Sequence, residues 1–522
     1  MRNPLRYRLW YTARQKVVTS VVVGALVVTS GWYGVTRLTA PEDRSCAPGV
    51  ERPQGSDECV GVSGDGYDFG RPKLTEVAAA IARENATLKA GRYATVALLL
   101  PLTSADEEMQ TKMQRELQGA FAEQYRANHL SNDQVPKIRL VLANTGNNNV
   151  LWQPTVARLK GMTGAPDHLR AVSGVATSST QVKEAVRELT AAHIAVVGTT
   201  ITADDIANGP DGDPFPGLAR VSPTNRDEAQ ALAHFGRVKA EKALLVQDTR
   251  TGDHYTDTLR AAFALLVRGT RYEPALFTSR KDPNDEGTTA NAFRDITHLI
   301  CDTDADTVFF AGRHTQLRQF INALGSRGCQ GRSFTILTGD EGSYLGIDKK
   351  LDRGALRRGV TVRYASLAHP DTWVAAGGKA AAATGGSAAD YQGLLDLLTD
   401  LRKKPAGPIG PIGHDQLTDG QIIIAHDAMS LAVHGIRQAT PAEGDRLPAP
   451  EDVGEQWPRV KGSLRVSGAS GWICLDNHGN PYNKAVPVVE LAPEDARQRF
   501  VAIAWPEGGP PDPKCLPPAS AQ

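Results

Sequence analysis

Short apolar runs alternate with longer amphipathic segments through most of the chain. From Tyr93 onward the run 96–100 (VALLL) is apolar at every position, the pattern of a strand covered on both faces. A helical stretch follows at 107–128. The rhythm recurs with strands at 138–144, 171–175 and 194–197 and helices at 153–162 and 180–192. A turn-rich stretch, 204–218, interrupts it. It then restarts, with strands at 243–247, 275–278, 307–311 and 334–338 alternating with helices at 255–267, 291–300 and 316–324. Such alternation predicts parallel strands joined by right-handed crossovers, and so two open α/β sheets. After Gly359 the pattern changes to a connecting strand at 360–364 and helices at 390–401 and 422–437. Ile422, Ala425, Met429, Val433 and Ile436 fall on one face of the latter. A strand, an Asn-Gly type turn and another strand come near the end, and the tail from Pro506 is rich in proline.

The N-terminal segment follows a different pattern. Residues 1–16 carry Arg2, Arg6, Arg8, Arg14 and Lys16 and no acid, and 17–35 carry no charge at all. In helical form that uncharged run is about as long as the roughly 30 Å hydrocarbon core of a bilayer. Basic residues stay on the cytosolic side. The expectation is therefore a cytosolic tail at 1–16, a transmembrane helix at 17–36 and the bulk of the chain outside the cell membrane. A cleaved signal peptide is the alternative, although no A-x-A site follows the run. Residues 37–91 read as an extracytoplasmic linker, with a small loop between Cys46 and Cys59 and a helix leading into the main fold.

Composition narrows the function classes. With 522 residues, 41% of them hydrophobic, the chain can build more than one core. Its 58 basic residues balance 58 acidic ones, so no net field draws it to nucleic acid. The six cysteines contain no C-x-x-C pair, which argues against zinc and for disulfides in an oxidising compartment. Cys301 and Cys329 end successive helices and are expected to pair. Cys46 pairs with Cys59 by proximity, which leaves Cys474 for Cys515. No G-x-G-x-x-G, Walker A, H-E-x-x-H or G-x-S-x-G signature is present, so no cofactor, metal or catalysis is expected.

Five passages considered together resemble a known family: 175–181 (VATSSTQ), 195–202 (AVVGTTIT), 248–255 (DTRTGDHY), 305–312 (ADTVFFAG) and 470–484 (SGWICLDNHGNPYNK). Their order and spacing are similar to those of the type I periplasmic-binding-protein superfamily, in particular the branched-chain amino-acid-binding (Leu/Ile/Val-binding-like) substrate-binding proteins of ABC transporters. The likeness covers about 93–492. It implies a clamshell of two Rossmann-like α/β lobes joined by a three-strand hinge. Lobe 1 would comprise 92–222 and 366–462, and lobe 2 would comprise 223–365 and 463–505, with a tail at 506–522. Crossings are expected near 220–224, 361–365 and 463–470. Ligand would lie in the cleft at the C-terminal ends of the strands, as the general rule for open α/β sheets also has it.

The resemblance also implies site residues. Ser178, Ser179 and Thr180 open a helix. Hydroxyls there cap free N–H groups, and the same geometry binds anions. A plain cap is the unremarked alternative, while the family pattern implies ligand contact, foremost by Ser179. Thr200 and Thr202 would help to hold the same carboxylate, and Tyr255 would stack on the ligand. Glu341, or its neighbour Asp340, would meet a ligand ammonium. Arg313 departs from the family, whose members favour an aromatic residue there. Its planar fork suits carboxylate or phosphate and puts an aliphatic pocket in doubt. The expected function is reversible capture of a small polar solute, amino-acid-like or anionic. Capture would serve uptake through an ABC permease or sensing through a partner. An anchored cell-envelope enzyme and a degenerate structural or interaction module are the alternatives.

Overall fold

The computed structural model describes residues 10–39, 44–132, 134–281, 286–374, 384–403, 410–442 and 446–518, with backbone alone at 30–39. The chain separates into two units, Met1–Cys46 and Ala47–Gln522. In the first unit, Ala13–Thr39 forms one helix, α1. Among the described residues no helix is long and apolar enough to cross a membrane. The transmembrane helix expected at 17–36 is therefore not found, and the membrane anchor loses its support. Thr19, Ser20 and Gly24 interrupt the valines, and the Thr29 hydroxyl bonds back to the Ala25 carbonyl. The side chains of 30–36 lie outside the described residues.

The second unit is built on two sheets. Val50–Glu51 (β1), Val60–Ser63 (β2), Tyr93–Leu100 (β3), Lys137–Asn144 (β4), Leu169–Val175 (β5), Ala195–Gly198 (β6) and Leu218–Arg220 (β7) lie in the order β1-β2-β4-β3-β5-β6-β7. From β4 to β7 all pairings are parallel. The second sheet takes Ala243–Asp248 (β8), Ala275–Phe277 (β9), Thr307–Ala311 (β10), Phe334–Thr338 (β11) and Val360–Ala365 (β12) in the order β9-β8-β10-β11-β12, all parallel. Every residue of β5 is buried, because crossover helices cover both faces. The crossovers are Glu107–His129 (α2), Trp152–Lys160 (α3), Thr180–Ala191 (α4), His254–Leu266 (α6), Thr289–Cys301 (α7) and His314–Gly325 (α8), and Asn225–Gly236 (α5) lies on the passage from the first sheet to the second. The two expected α/β runs are thus two sheets.

Each sheet has its own core. Around the second, Phe277, Phe293, Phe310 and Phe320 pack ring on ring, with centroids 4.8 Å apart for Phe277–Phe293 and 5.3 Å for Phe310–Phe320. On the first, α2 lies against Gln421–Ala439 (α9). The anticipated face of α9, from Ile422 through Met429 to Ile436, is buried. Gly119 lets the two backbones meet: a Cβ at this position would stand 2.3 Å from the Ile422 carbonyl oxygen.

The chain leaves the first sheet between β7 and α5 and enters the second. It returns after β12, since α9 packs on the first. The stretch 463–470, expected to form the third crossing, instead runs from a 3-10 turn at Gly462–Leu464 into a hairpin of Val466–Gly468 (β13) and Gly471–Ile473 (β14). Asp427 of α9 holds this hairpin by accepting the N–H groups of Ala469 and Ser470 and the Ser470 hydroxyl. The passage into the second sheet comes later, before Val486–Leu491 (β15). That strand pairs antiparallel with β12 and with Gln498–Ala504 (β16).

Cys301 at the end of α7 bonds to Cys329 beyond α8, with Cα atoms 5.8 Å apart. Cys474 bonds to Cys515 with the same separation and ties the Pro-rich tail to the hairpin region. Cys46 and Cys59 are also disulfide-bonded, and no cysteine is free. Replacing both Cys301 and Cys329 by serine should lower stability by about 3–4 kcal/mol, the loop-closure value for their separation. Urea unfolding measures this. Non-reducing peptide maps of the wild type should contain the 301–329 and 474–515 linked fragments.

Candidate functional site

The C-terminal ends of β5, β6, β8, β10 and β11 point toward one another between the lobes. After β5 the chain reaches Ser178 and Ser179. Ser179 is the N-cap of α4, and its hydroxyl oxygen accepts the Val182 N–H at 3.3 Å. After β10, Arg313 is the N-cap of α8. After β11, Asp340–Gly346 forms a 3-10 turn that carries Asp340, Glu341 and Tyr344. Between these ends lies a cavity of about 640 Å3, with Met109, Asn149, Ser179 and Thr180 on one side and Arg250, Asp253, Arg313, Glu341 and Tyr344 on the other.

Arg313 organises the second-lobe wall. Its Nε and Nη2 donate to the two carboxylate oxygens of Asp253 at 2.8 and 2.6 Å, and its Nη1 donates to Glu341 Oε1 at 2.7 Å. The guanidinium carbon lies 4.6 Å from the centre of the Tyr255 ring. Arg250 donates to Asp253 Oδ2 at 2.7 Å from the other side. Glu341 Oε2 accepts from the backbone N–H and Nδ1 of His314, at 3.2 and 2.9 Å. Burial pushes the Glu341 carboxyl up, but Arg313 and His314 outweigh it and hold the group well below the usual carboxylate range. Asp253 is lowered in the same way by Arg313 and Arg250. Burial opposes charge on His314, and Glu341 outweighs that and raises it.

On the first-lobe side the residues behind the cavity are as polar. Lys112 of α2 is buried and donates to the Ala176 carbonyl and the Thr200 hydroxyl, each at 2.8 Å. Thr200 in turn donates to Ala176 O at 2.7 Å. Glu116, one turn further along α2, is 1% exposed and its Oε1 has no hydrogen-bond partner. Burial pushes its carboxyl up to about 8, against the pull of Lys112. Asp340 is raised to about 7 by burial and the Glu341 charge. The same burial lowers Lys112.

The lobes touch directly around this cavity. The Tyr255 N–H donates to the Ser178 carbonyl at 3.3 Å, and the Thr180 hydroxyl donates to Gly252 O at 3.2 Å. His254 meets Asp205 at 2.6 Å. Of the residues singled out in the sequence, Ser179, Thr180, Arg313 and Glu341 line the cavity. Ser178 is buried beside it, its hydroxyl accepting the Ala203 N–H. Thr200 and Thr202 are buried, and Thr202 Oγ1 has no partner. Tyr255 is 2% exposed and lies under Arg313 instead of in the cavity wall. Asp340 sits off the wall, its N–H bound to Glu228. Sequence reasoning missed Lys112, Glu116, Arg250, Asp253, His314 and Tyr344. Arg250 and Asp253 stand inside the quoted passage that ends at Tyr255, and His314 follows Arg313, so adjacency alone was a usable signal for these three. Lys112 and Glu116 had no local cue on an amphipathic helix.

No family model matches the sequence, and no curated protein does. Solved structures do match in three dimensions. A leucine-binding protein, LivK, of Thermotoga maritima superposes with a TM-score of 0.56 at 14% identity, covering 79% of this chain and 99% of its own. The branched-chain amino-acid transporter substrate-binding protein LivJ of Streptococcus pneumoniae, in complex with isoleucine, gives 0.55 at 12% identity, covering 79% and 99%. An ABC-transporter solute-binding protein of R. palustris in complex with 4-hydroxybenzoate gives 0.52 at 14%, covering 79% and 96%. The fold is therefore that of the type I periplasmic-binding proteins, whose neighbours here include Leu/Ile/Val-binding substrate-binding proteins of ABC transporters.

The raised acid on α2 gives a pH signature. Between the ordinary carboxylate range and about 8, Glu116 is protonated in the folded chain and ionised in the unfolded one. The folded state then binds more protons, so the Glu116 contribution falls as pH rises, by up to about 1.4 kcal/mol per unit. From pH 5 to 8 the wild type should lose stability relative to Glu116→Gln and then run parallel to it. Urea midpoints of the two proteins across that range measure the difference.

Proposed function

We propose that this protein captures a small anionic solute in the cleft between its lobes, outside the cytosol. The observation that supports this most is the interlobe cavity at the strand ends, with a helix start on one wall and Arg250 and Arg313 on the other. Its volume of about 640 Å3 suits a small molecule. A helix N-terminus favours negative charge. The Ser179 hydroxyl accepts from Val182 and keeps its own proton free to donate to a ligand carboxylate. Thr180 and the N–H groups of the first turn assist. Arg313 turns its positive fork to the cavity edge, fixed in place by Asp253 and Glu341 and supported on Tyr255. Ser178, Thr200, Thr202 and Asp340 form the polar backing of the site.

The disulfides favour an oxidising compartment. The three passages between sheets act as the hinge on which the lobes open and close, and closure excludes water and strengthens the polar contacts. The neighbours of similar fold bind leucine, isoleucine and 4-hydroxybenzoate, each a carboxylate. Captured solute passes to an ABC permease or is reported to a partner protein. The site binds its solute and does not transform it.

The test is calorimetry of the full chain against a panel of small carboxylates, beginning with whatever mass spectrometry finds co-purified. Ser179→Ala should weaken binding about 10- to 150-fold, the value of one hydrogen bond to a charged group. It should lower stability by only about 1 kcal/mol through the lost cap. An affinity left unchanged in a folded variant rules Ser179 out of the site.

A further inference from the structure

We propose that the Lys112 ammonium is a built-in substitute for a ligand ammonium, so that the cleft selects carboxylates that lack an amino group. This names the solute class for the capture function above and rests on it. Lys112 is 5% exposed and reaches from α2 to the C-terminal ends of β5 and β6. Open α/β sheets bind their ligands at such ends. Its Nζ holds the Ala176 carbonyl and the Thr200 hydroxyl oxygen, both at 2.8 Å. It lies 6.0 Å from the centre of the Tyr344 ring, which itself lines the cavity.

An incoming ammonium needs several acceptors, since it brings three donors and no lone pair. At this cleft the Ala176 carbonyl and the two wall carboxylates already have donors. Ala176 O receives both Lys112 and the Thr200 hydroxyl. Glu341 gives one oxygen to Arg313 and the other to His314. Asp253 gives both of its oxygens to Arg313, and one also to Arg250. Asp340 keeps one oxygen without a partner, but it is off the cavity wall. Charge points the same way, because Arg250, Lys281 and Arg313 line the cavity against Asp253 and Glu341, with Lys112 behind the wall. A second ammonium would be repelled and would meet only carboxylates already paired with Arg313, Arg250 and His314, whereas a carboxylate finds the Ser179 hydroxyl and the start of α4.

Two matched pairs test this with the full chain: L-leucine against 4-methylpentanoate, and L-phenylalanine against 3-phenylpropanoate. Each pair differs by one amino group. Calorimetry should find the plain acid at least ~10-fold tighter than the amino acid in whichever pair binds, at ~1.4 kcal/mol per tenfold. Lys112→Gln keeps donors for Ala176 and Thr200 but removes the charge, and should shift that ratio ~10-fold or more toward the amino acid. Lys112→Arg should preserve the wild-type preference. Circular dichroism confirms that the variants are folded, and the wild-type ratio stands as a test even where one is not. An amino acid that binds as tightly as its plain acid overturns the inference alone. So does a ratio that a folded Lys112→Gln leaves unmoved. Absence of binding by all four overturns the capture function, and this inference with it.

Discussion

The guanidinium of Arg313 holds three loops in one arrangement. It bridges Asp253 from the loop after β8 and Glu341 from the turn after β11, and it stacks over Tyr255 at the start of α6. Its own backbone starts α8 after β10. The ends of three strands, β8, β10 and β11, are thereby fixed relative to one another by one side chain. Charges taken this far out of water are costly unless they are paired and bonded, and here each carboxylate oxygen of Asp253 and Glu341 has a donor. Losing any one partner would leave a buried charge uncompensated, so the cluster is held as a whole.

The first lobe solves a related problem differently. Lys112 and Glu116 lie on one helix and are both buried. Neither has the direct bidentate pairing that Arg313 has. Lys112 relies on a carbonyl and a hydroxyl, and Glu116 responds to burial by a raised pKa. The helix that carries them is pressed onto α9 at Gly119, where no side chain separates the backbones. Close packing of α2 on the scaffold positions Lys112 at the strand ends, so packing and site chemistry depend on the same helix.

Much of the fold was legible in the chain because burial leaves a local mark. Strands covered on both faces are mainly apolar, which is why the run 96–100 in β3 stands out, and a helix packed on a sheet carries an apolar stripe, as α9 does. The pairing of Cys301 with Cys329 followed from two successive helix ends. The resemblance implied the third passage between sheets at 463–470, and the chain makes it later, before β15. Asp427, distant in sequence, binds that hairpin to α9.

The site was legible only in part. Ser179 and Arg313 could be read as helix caps from their neighbours, and both are. The resemblance brought Glu341 and Tyr255 forward, but what each one meets was decided by tertiary structure. Tyr255 supports Arg313 and Glu341 is engaged by Arg313 and His314. Lys112 was not legible at all, because a lysine on an amphipathic helix is solvated far more often than buried. The sequence by itself determined periodicity, caps and the class of sheet, since these depend on residues within a few positions of one another. Which charges meet across the cleft depends on side chains brought together by two lobes and several strand ends, and only the folded chain decides that.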